Sequence, residues 1–398
     1  MGHFRDQFMI APPAKTAMVL SGGGAYGAFA VGVMKTLFAG RSPATNYEPL
    51  AADIYTGTSV GAFNAAVMVG QGTQDSLEAA VYLENIWLEK VADRRGRCGN
   101  GIFRLRGNPA DFVDPNCLRE PGRLAASLAS DSLAISGYIL GRTANFLASS
   151  SPLEERAMAL VNVGSFVDSA PYSDLLRSVV NEAAIRQSSR MIHITATNWI
   201  EGTARYFCNP DFQEGRGIQA IMASTAIPGV FPPVRIDRDV YVDGGVVQNT
   251  PLSAAIQFGG SKLHVIYLDP NPAAVRLQGA PNTIDTMLRV YFIMLATKLS
   301  QDIQTAAWIN AGLDAVEQYA ETQTTSDSQI RDFIRVAGQL IKNKSKYKRL
   351  TIHRYFPETG LGGDLGMLNF DVDAIARMIS QGEQTALLHD CGLNGCIV

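Results

Sequence analysis

Three short stretches of this chain carry residue types that could do chemistry. The first is Gly57-Thr58-Ser59-Val60-Gly61, a GxSxG pattern lying between a short apolar, β-rich run and a helical run. In that context a serine stands on a sharp strand-to-helix turn, a nucleophile elbow. Its hydroxyl then sits at a helix N-terminus whose exposed N–H groups and dipole stabilise negative charge developing on a substrate. Gly57 and Gly61 allow the turn to close without side-chain collision. Without that context the same five residues read as a Gly-rich packing turn.

The second stretch is Ser21-Gly22-Gly23-Gly24-Ala25-Tyr26-Gly27. Gly22, Gly24 and Gly27 satisfy the dinucleotide fingerprint GxGxxG, and the loop opens a helix whose N–H groups suit a pyrophosphate or, equally, an oxyanion. A dinucleotide site calls for an acid closing the second strand, about 20 residues on. Here Asp53 opens that strand, and Gly57-Thr58-Ser59 closes it. The third stretch, Tyr241-Val242-Asp243-Gly244-Gly245, ends an apolar run with a carboxylate and lets the chain turn sharply away. Asp243 is the favoured base for Ser59. With a reference pKa of about 3.9, it needs desolvation and a good oxyanion hole to serve. The plainer reading is an Asp-Gly turn closing a hairpin.

Five histidines compete for the role of base. His193, His264 and His353 sit inside strand patterns (MIHIT, KLHVIY, LTIHRY), His3 lies near the start and His389 near the end. A triad in the order Ser, acid, His stays open with His353 or His389, but none of the five lies on a strand-end loop of the kind that carries catalytic groups.

The elements that must position these residues follow a strand-then-helix rhythm. Strands are predicted at Thr16–Leu20, Asp53–Thr56, Met191–Thr197, Ala204–Phe207, Leu263–Leu268 and Leu350–Tyr355, with a hairpin of Val234–Ile236 and Val240–Val242. Helices are predicted at Ala25–Phe38, Val60–Val69, Ile218–Ser224, Leu252–Phe258, Thr283–Tyr319 and Ser328–Ile341, and from near Val372. This pattern makes one α/β domain over 1–398 with a largely parallel central sheet and a mainly helical C-terminal extension over 283–398. From 77 to 187 no strong strand is visible, and the stretch reads as an inserted helical cap. Its basic turns (Arg94–Arg106, then Arg119 and Arg123) and apolar runs (Leu124–Leu133, Ile135–Leu147) could dock on anionic membrane, or form a solvated loop beside a packed helical subdomain. The basic cluster Lys342–Arg349 reads as a solvated helix end, and Tyr291–Leu295 as core.

Composition sets the outer bounds. The chain of 398 residues is 46% hydrophobic and 18% charged, which excludes disorder, and its net charge of -3 argues against a dedicated nucleic-acid partner. Five cysteines at irregular spacings (Cys98, Cys117, Cys208, Cys391, Cys396) make neither a disulfide framework nor a paired CxxC zinc pattern. Free thiols in a reducing compartment are the expectation, with Cys391 and Cys396 close enough in sequence to pair. The N-terminal residues lack a signal-peptide pattern, and no apolar window is long enough to span a bilayer. A cytoplasmic protein with at most peripheral membrane contact is expected.

GGGAYG, GTSVG and VDGG, in this order, resemble the motifs of the patatin-like phospholipases, as does the segment Ala223–Pro233 (ASTAIPGVFPP) just before the Asp motif. The resemblance covers roughly the first two-thirds of the chain, outside the insertion. It implies a three-layer α/β sandwich, a Ser59–Asp243 dyad and an oxyanion hole of the Gly22, Gly23 and Gly24 backbone N–H groups. It also implies calcium-independent hydrolysis of phospholipid or other acyl-lipid substrates at a membrane surface, with no cofactor and no metal. Tyr26 departs from the family pattern, which usually has Arg or Lys there. The backbone donors remain without that charge, but the handling of an anionic head group is put in question, which leaves room for a neutral or less charged lipid. The rival readings are a general carboxylesterase or thioesterase with the same dyad, a non-catalytic lipid-binding or storage protein retaining the fold, and a dinucleotide-binding protein.

Overall fold

In the computed structural model, strand β1 (Lys15–Leu20) sends Ala17 and Val19 into one hydrophobic cluster and Met18 and Leu20 into another. That alternation is the period-two signature of a strand buried on both faces, and it sets the architecture: a sheet with helices on either side. The structure describes residues 14–92, 104–105, 167–268 (except 229), 306–315, 349–361 (except 358 and 359) and 369–397, with isolated positions between them.

The order along the chain is β1, α1 (Gly27–Phe38), β2 (Ile54–Thr58), α2 (Val60–Gly70), α3 (Ser76–Ile86), β3 (Arg104–Leu105), β4 (Val167–Asp168), α4 (Ala170–Val179) and α5 (Glu182–Gln187). It continues with β5 (Met191–Asn198), β6 (Thr203–Cys208), α6 (Arg216–Ser224), β7 (Val234–Ile236), β8 (Asp239–Asp243), α7 (Gly245–Gln248), α8 (Leu252–Gln257), β9 (Gly260–Ile266), β10 (Thr351–Tyr355) and α9 (Val372–Leu387). The main sheet has eight strands. Strands β10, β9, β1, β2 and β5 are neighbours in that order and all parallel, while β6, β7 and β8 join antiparallel. The larger cluster holds the buried faces of α1, α2, α3, α6 and α9; the smaller holds Leu252 and Ala255 of α8 with Ala306. The fold is the three-layer α/β sandwich with a largely parallel sheet.

Two boundaries differ from the sequence reading. Ala79, Ala80, Leu83 and Ile86 of α3, and Tyr172, Leu176 and Ile185 of α4 and α5, all enter the main cluster. Both ends of the 77–187 stretch therefore belong to the body of the domain. A short antiparallel pair, β3 with β4, also lies in a region read as strandless. The basic turns and apolar runs predicted between them fall outside the described residues, apart from isolated positions, as do Cys98 and Cys117. So do Tyr291–Leu295, Ser328–Ile341, Lys342–Lys348 and most of Thr283–Tyr319.

The C-terminal segment is built into the sandwich. Strand β10 extends the parallel sheet at its edge, and α9 crosses α1 at close range: a Cβ on Gly32 would collide with the Ile379 carbonyl, and one on Gly382 with the Phe29 carbonyl. Lys35 of α1 then pairs with Glu84 of α3 and Glu383 of α9, each at 2.7 Å. Among the described residues, no helix is long and apolar enough to cross a membrane.

Candidate active site

Ser59 follows the last residue of β2 and precedes the first residue of α2, with φ 54° and ψ −124°. A non-glycine residue with positive φ is sterically costly and is retained only where its surroundings impose it. Here the surroundings are close backbone. A Cβ on Gly57 would strike the Gly61 carbonyl, and one on Gly61 would strike the Leu20 carbonyl. Ser59 thus stands on a tight strand-to-helix turn, with α2 packed directly onto the end of β1.

The sheet register brings Asp243 to the same place. Strand β6 occupies one edge of β5 from His193 to Asn198, so β2 and β8 share the other edge end to end. Thr58 faces Thr195, and Asp243 faces Ala196, the next residue of β5. The strand that delivers Ser59 and the strand that delivers Asp243 therefore run toward each other and meet. Asp243 is fully buried; its Oδ1 accepts the Gly245 N–H at 2.7 Å, its own N–H donates to the Ala226 carbonyl at 2.8 Å, and its carbonyl accepts the Thr197 hydroxyl at 2.9 Å. The Asp-Gly pair does more than close a hairpin: α7 starts immediately after it, and a Cβ on Gly244 would collide with the Thr195 carbonyl.

The glycine loop divides its work. The Gly22 N–H donates to the Asn249 carbonyl at 3.2 Å, so it is engaged by the fold and is not available as an oxyanion donor. Gly22 instead lets the loop touch Ser59, since a Cβ there would lie 2.9 Å from the Ser59 Cβ. Gly23 and Gly24 open the 3-10 turn Gly24–Tyr26, where N–H groups lack intrahelical partners. The loop is fastened to the segment after α7 by Ser21 Oγ with Thr250 Oγ1 at 2.7 Å and by Asn249 Nδ2 donating to the Gly22 carbonyl at 3.3 Å.

Ser59 and Gly24 open onto a cavity of about 290 Å³ whose other walls are mainly apolar, among them Phe63, Trp87, Tyr172 and Phe231. Trp87 is fixed by donating to Asn64 Oδ1 at 2.9 Å, and Asn64 donates to the Gly27 carbonyl at 3.0 Å. Tyr172 is a site residue that sequence reasoning missed. Burial pushes its phenol up, a hydrogen bond with Thr225 opposes this, and the charge of Asp243 adds to it, so the hydroxyl stays protonated near the carboxylate. Its only sequence signal was an aromatic in a stretch read as a cap. Tyr26 is buried in the core rather than on the cavity wall, with its phenol pushed up by burial to about 12.

No described histidine lines this cavity. His193 stacks on Phe258 with ring centroids 3.6 Å apart, and burial lowers it to about 4. His264 lies on β9 and His353 on β10, with β1 intervening before β2, and His389 lies close to His353, their ring centroids 5.9 Å apart. The triads left open with His353 or His389 are not assembled.

A family model for patatin-like phospholipases matches residues 18–256, more than half of the chain. Uncharacterized NTE family proteins of Mycobacterium bovis and Mycobacterium tuberculosis are 25% identical over 173 residues, covering 42% of this chain and 47% of each relative. The chain thus aligns with about half the length of these relatives. Among solved structures, VipD from Legionella pneumophila aligns over 95% of this chain and 66% of its own, with a TM-score of 0.37 and 14% identity. By the family match, this chain belongs to the patatin-like phospholipase family.

Proposed function

We propose that the protein hydrolyses fatty acyl esters of phospholipids or related acyl lipids through Ser59, Asp243 and an acyl-enzyme intermediate. The observation that carries this reading is the head-to-head meeting of the two strand ends, with Ser59 on an elbow at the wall of an apolar cavity. Asp243, removed from solvent, takes the Ser59 proton as Oγ attacks the ester carbonyl. The Gly23 and Gly24 N–H groups and the start of α2 stabilise the tetrahedral oxyanion. The protonated Asp243 returns its proton to the departing alcohol. It then deprotonates the water that attacks the acyl-enzyme, and Ser59 leaves with that proton.

Two features bear on the substrate. The cavity lies near the lower end of small-ligand sites, about 300–1,000 Å³, which fits one acyl chain of short to medium length. This also favours, as a second reading, a carboxylesterase or thioesterase acting on short acyl groups. Trp199 and Ile200, 60% and 74% exposed, form the turn after the C-terminal end of β5. Because β5 is parallel to β2, that turn projects from the edge of the sheet that carries Ser59, and it suits contact with a lipid surface.

Fluorophosphonate labelling of wild type, Ser59→Ala and Asp243→Asn, read by intact mass and peptide mapping, tests the dyad. One adduct on Ser59, strongly slowed in Asp243→Asn, is the expected result. An adduct formed at the wild-type rate in Asp243→Asn removes the proposed base. Turnover of phospholipid, monoglyceride and acyl-CoA substrates in parallel separates the lipid and general-ester readings.

A further inference from the structure

We infer that His353, His389, Cys391 and Cys396 form a tetrahedral binding site for a structural Zn2+ ion. Each residue offers one ligand atom, and the four atoms all lie within 4.8 Å of one another. Cys391 Sγ is 3.5 Å from His353 Nδ1 and 3.5 Å from His389 Nε2, and Cys396 Sγ is 3.5 Å from His389 Nε2. With Zn–S about 2.3 Å and Zn–N about 2.0–2.1 Å, the sulfur-to-nitrogen edge of a tetrahedral site is about 3.6 Å. Three separate edges of this cluster therefore have the length that a central zinc requires.

The backbone holds that arrangement. His353 lies on β10, and the other three ligands lie on the turn that follows α9. Asp390 Oδ1 accepts the N–H groups of Gly392 and Leu393 at 2.7 and 3.1 Å, and the Cys396 N–H donates to the Cys391 carbonyl at 3.0 Å. Gly395, at φ 60°, supplies the left-handed step that turns Cys396 back toward Cys391. Beyond it Ile397 bridges to Ile352 of β10.

The surrounding groups match those that support metal ligands. The Arg354 backbone N–H points at Cys396 Sγ at 3.4 Å, where it stabilises a thiolate. The Asn394 side-chain amide lies 2.9 Å from His389 Nδ1. With its oxygen turned to that nitrogen, it accepts Nδ1–H and leaves the Nε2 lone pair for the metal. As the ion binds, both thiols release their protons to solvent, and two thiolates with two neutral imidazoles balance its charge. Two sulfur and two imidazole donors select zinc over the hard cations that prefer oxygen. Four protein ligands leave no open position, so the ion is structural. It lies on β10, with β9 and β1 between it and the strand that carries Ser59, and it clamps the C-terminal segment over the edge of the sheet.

The test uses the full chain, expressed without a polyhistidine tag and purified under reductant. Zinc is measured by elemental mass spectrometry, and Co2+ is then substituted for spectroscopy. One zinc per chain is expected, together with the visible bands of tetrahedral, thiolate-bound Co2+. Cys391→Ser/Cys396→Ser should lose both, and Cys208→Ser should keep both. If the double variant fails to fold, titrating wild type with a mercurial in the presence of a zinc-indicator dye reads the same site, and release of zinc as the thiols are blocked is expected. Metal at buffer background after Zn2+ addition to the reduced protein, octahedral Co2+ spectra, or zinc retained when the thiols are blocked overturns the proposal. Labelling of Ser59 is independent of all these outcomes.

Discussion

The hydroxyl of Ser224 accepts the backbone N–H of Ser59 at 2.8 Å while donating its own proton to the Thr195 carbonyl at 2.6 Å. The Ser224 carbonyl also accepts the Gly244 N–H at 3.4 Å. One residue at the end of α6 thus holds the elbow beside Ser59 and the turn beside Asp243, and both bonds pass over the level of β5 where β2 and β8 meet. This engagement leaves the Ser59 N–H unavailable to a substrate, so in the proposed mechanism the oxyanion donors are the glycine loop and the start of α2.

Ser224→Ala removes the acceptor and strands a buried N–H, a change worth about 1–3 kcal/mol. If most of that loss falls on the geometry of the elbow, kcat drops by roughly 10–100-fold with KM little changed. Steady-state kinetics on a soluble ester checks this, alongside a thermal melt. Wild-type kcat in Ser224→Ala would show that Ser59 needs no such support.

The α1–α9 crossing makes a separate claim about stability. Gly32 and Gly382 let the two helices approach until a Cβ on either would overlap a backbone carbonyl of the other helix. Gly382→Val should therefore force the helices apart and destabilise the domain by about 1–3 kcal/mol or more. The expected signature is a lower urea midpoint at unchanged slope. An unchanged midpoint would mean that α9 contributes little to the fold, against the burial of Ile375, Met378 and Ile379.

Much of the site was legible because its signals are local. GxSxG between a strand and a helix specifies a sharp turn wherever the chain goes, and an Asp-Gly-Gly at a strand end puts a carboxylate at a turn, though its burial comes only from the fold. What joins them is not local. Ser224 matters only because β8 returns onto the same edge of β5 as β2, a pairing that no sequence spacing encodes. Gly22 satisfied a motif, yet its N–H is used by Asn249, a partner more than 200 residues away that sequence cannot rank against a substrate. Helices α3, α4 and α5 were read as part of an insertion because an amphipathic helix has the same pattern whether it covers the main sheet or a cap. His353 carried only a strand signal, and Cys391 and Cys396 are too far apart for a CxxC pattern. Their meeting depends on β10 pairing with the segment beyond Gly395.

His193 gives the domain an acid-sensitive component. Burial holds the folded imidazole at about 4, against the ordinary histidine value of 6.5 in the unfolded chain. Between those values the unfolded chain binds a proton that the folded chain does not, so stability is lost as pH falls from about 6.5 toward about 4. The slope from this group is at most about 1.4 kcal/mol per pH unit. His193→Gln should flatten the dependence over that window, whatever it costs at neutral pH through the lost stack on Phe258. Parallel urea titrations of the two proteins at several pH values measure it, and parallel slopes would remove His193 as the source.

The Trp199-Ile200 turn separates interfacial binding from chemistry. It shares the Ser59 edge of the sheet, but neither residue lines the cavity, so truncating it leaves Ser59, Asp243 and the cavity untouched. Trp199→Ala/Ile200→Ser should therefore keep wild-type turnover of a soluble short-chain ester. On phospholipid vesicles the same variant should lose turnover by roughly 10-fold or more, since each apolar side chain withdrawn from a lipid surface forfeits on the order of 1.5 kcal/mol or more. Vesicle sedimentation gives the binding part of that loss directly. Equal losses on both substrates would place the turn in the catalytic machinery, and no loss on either would leave lipid contact to another part of the surface.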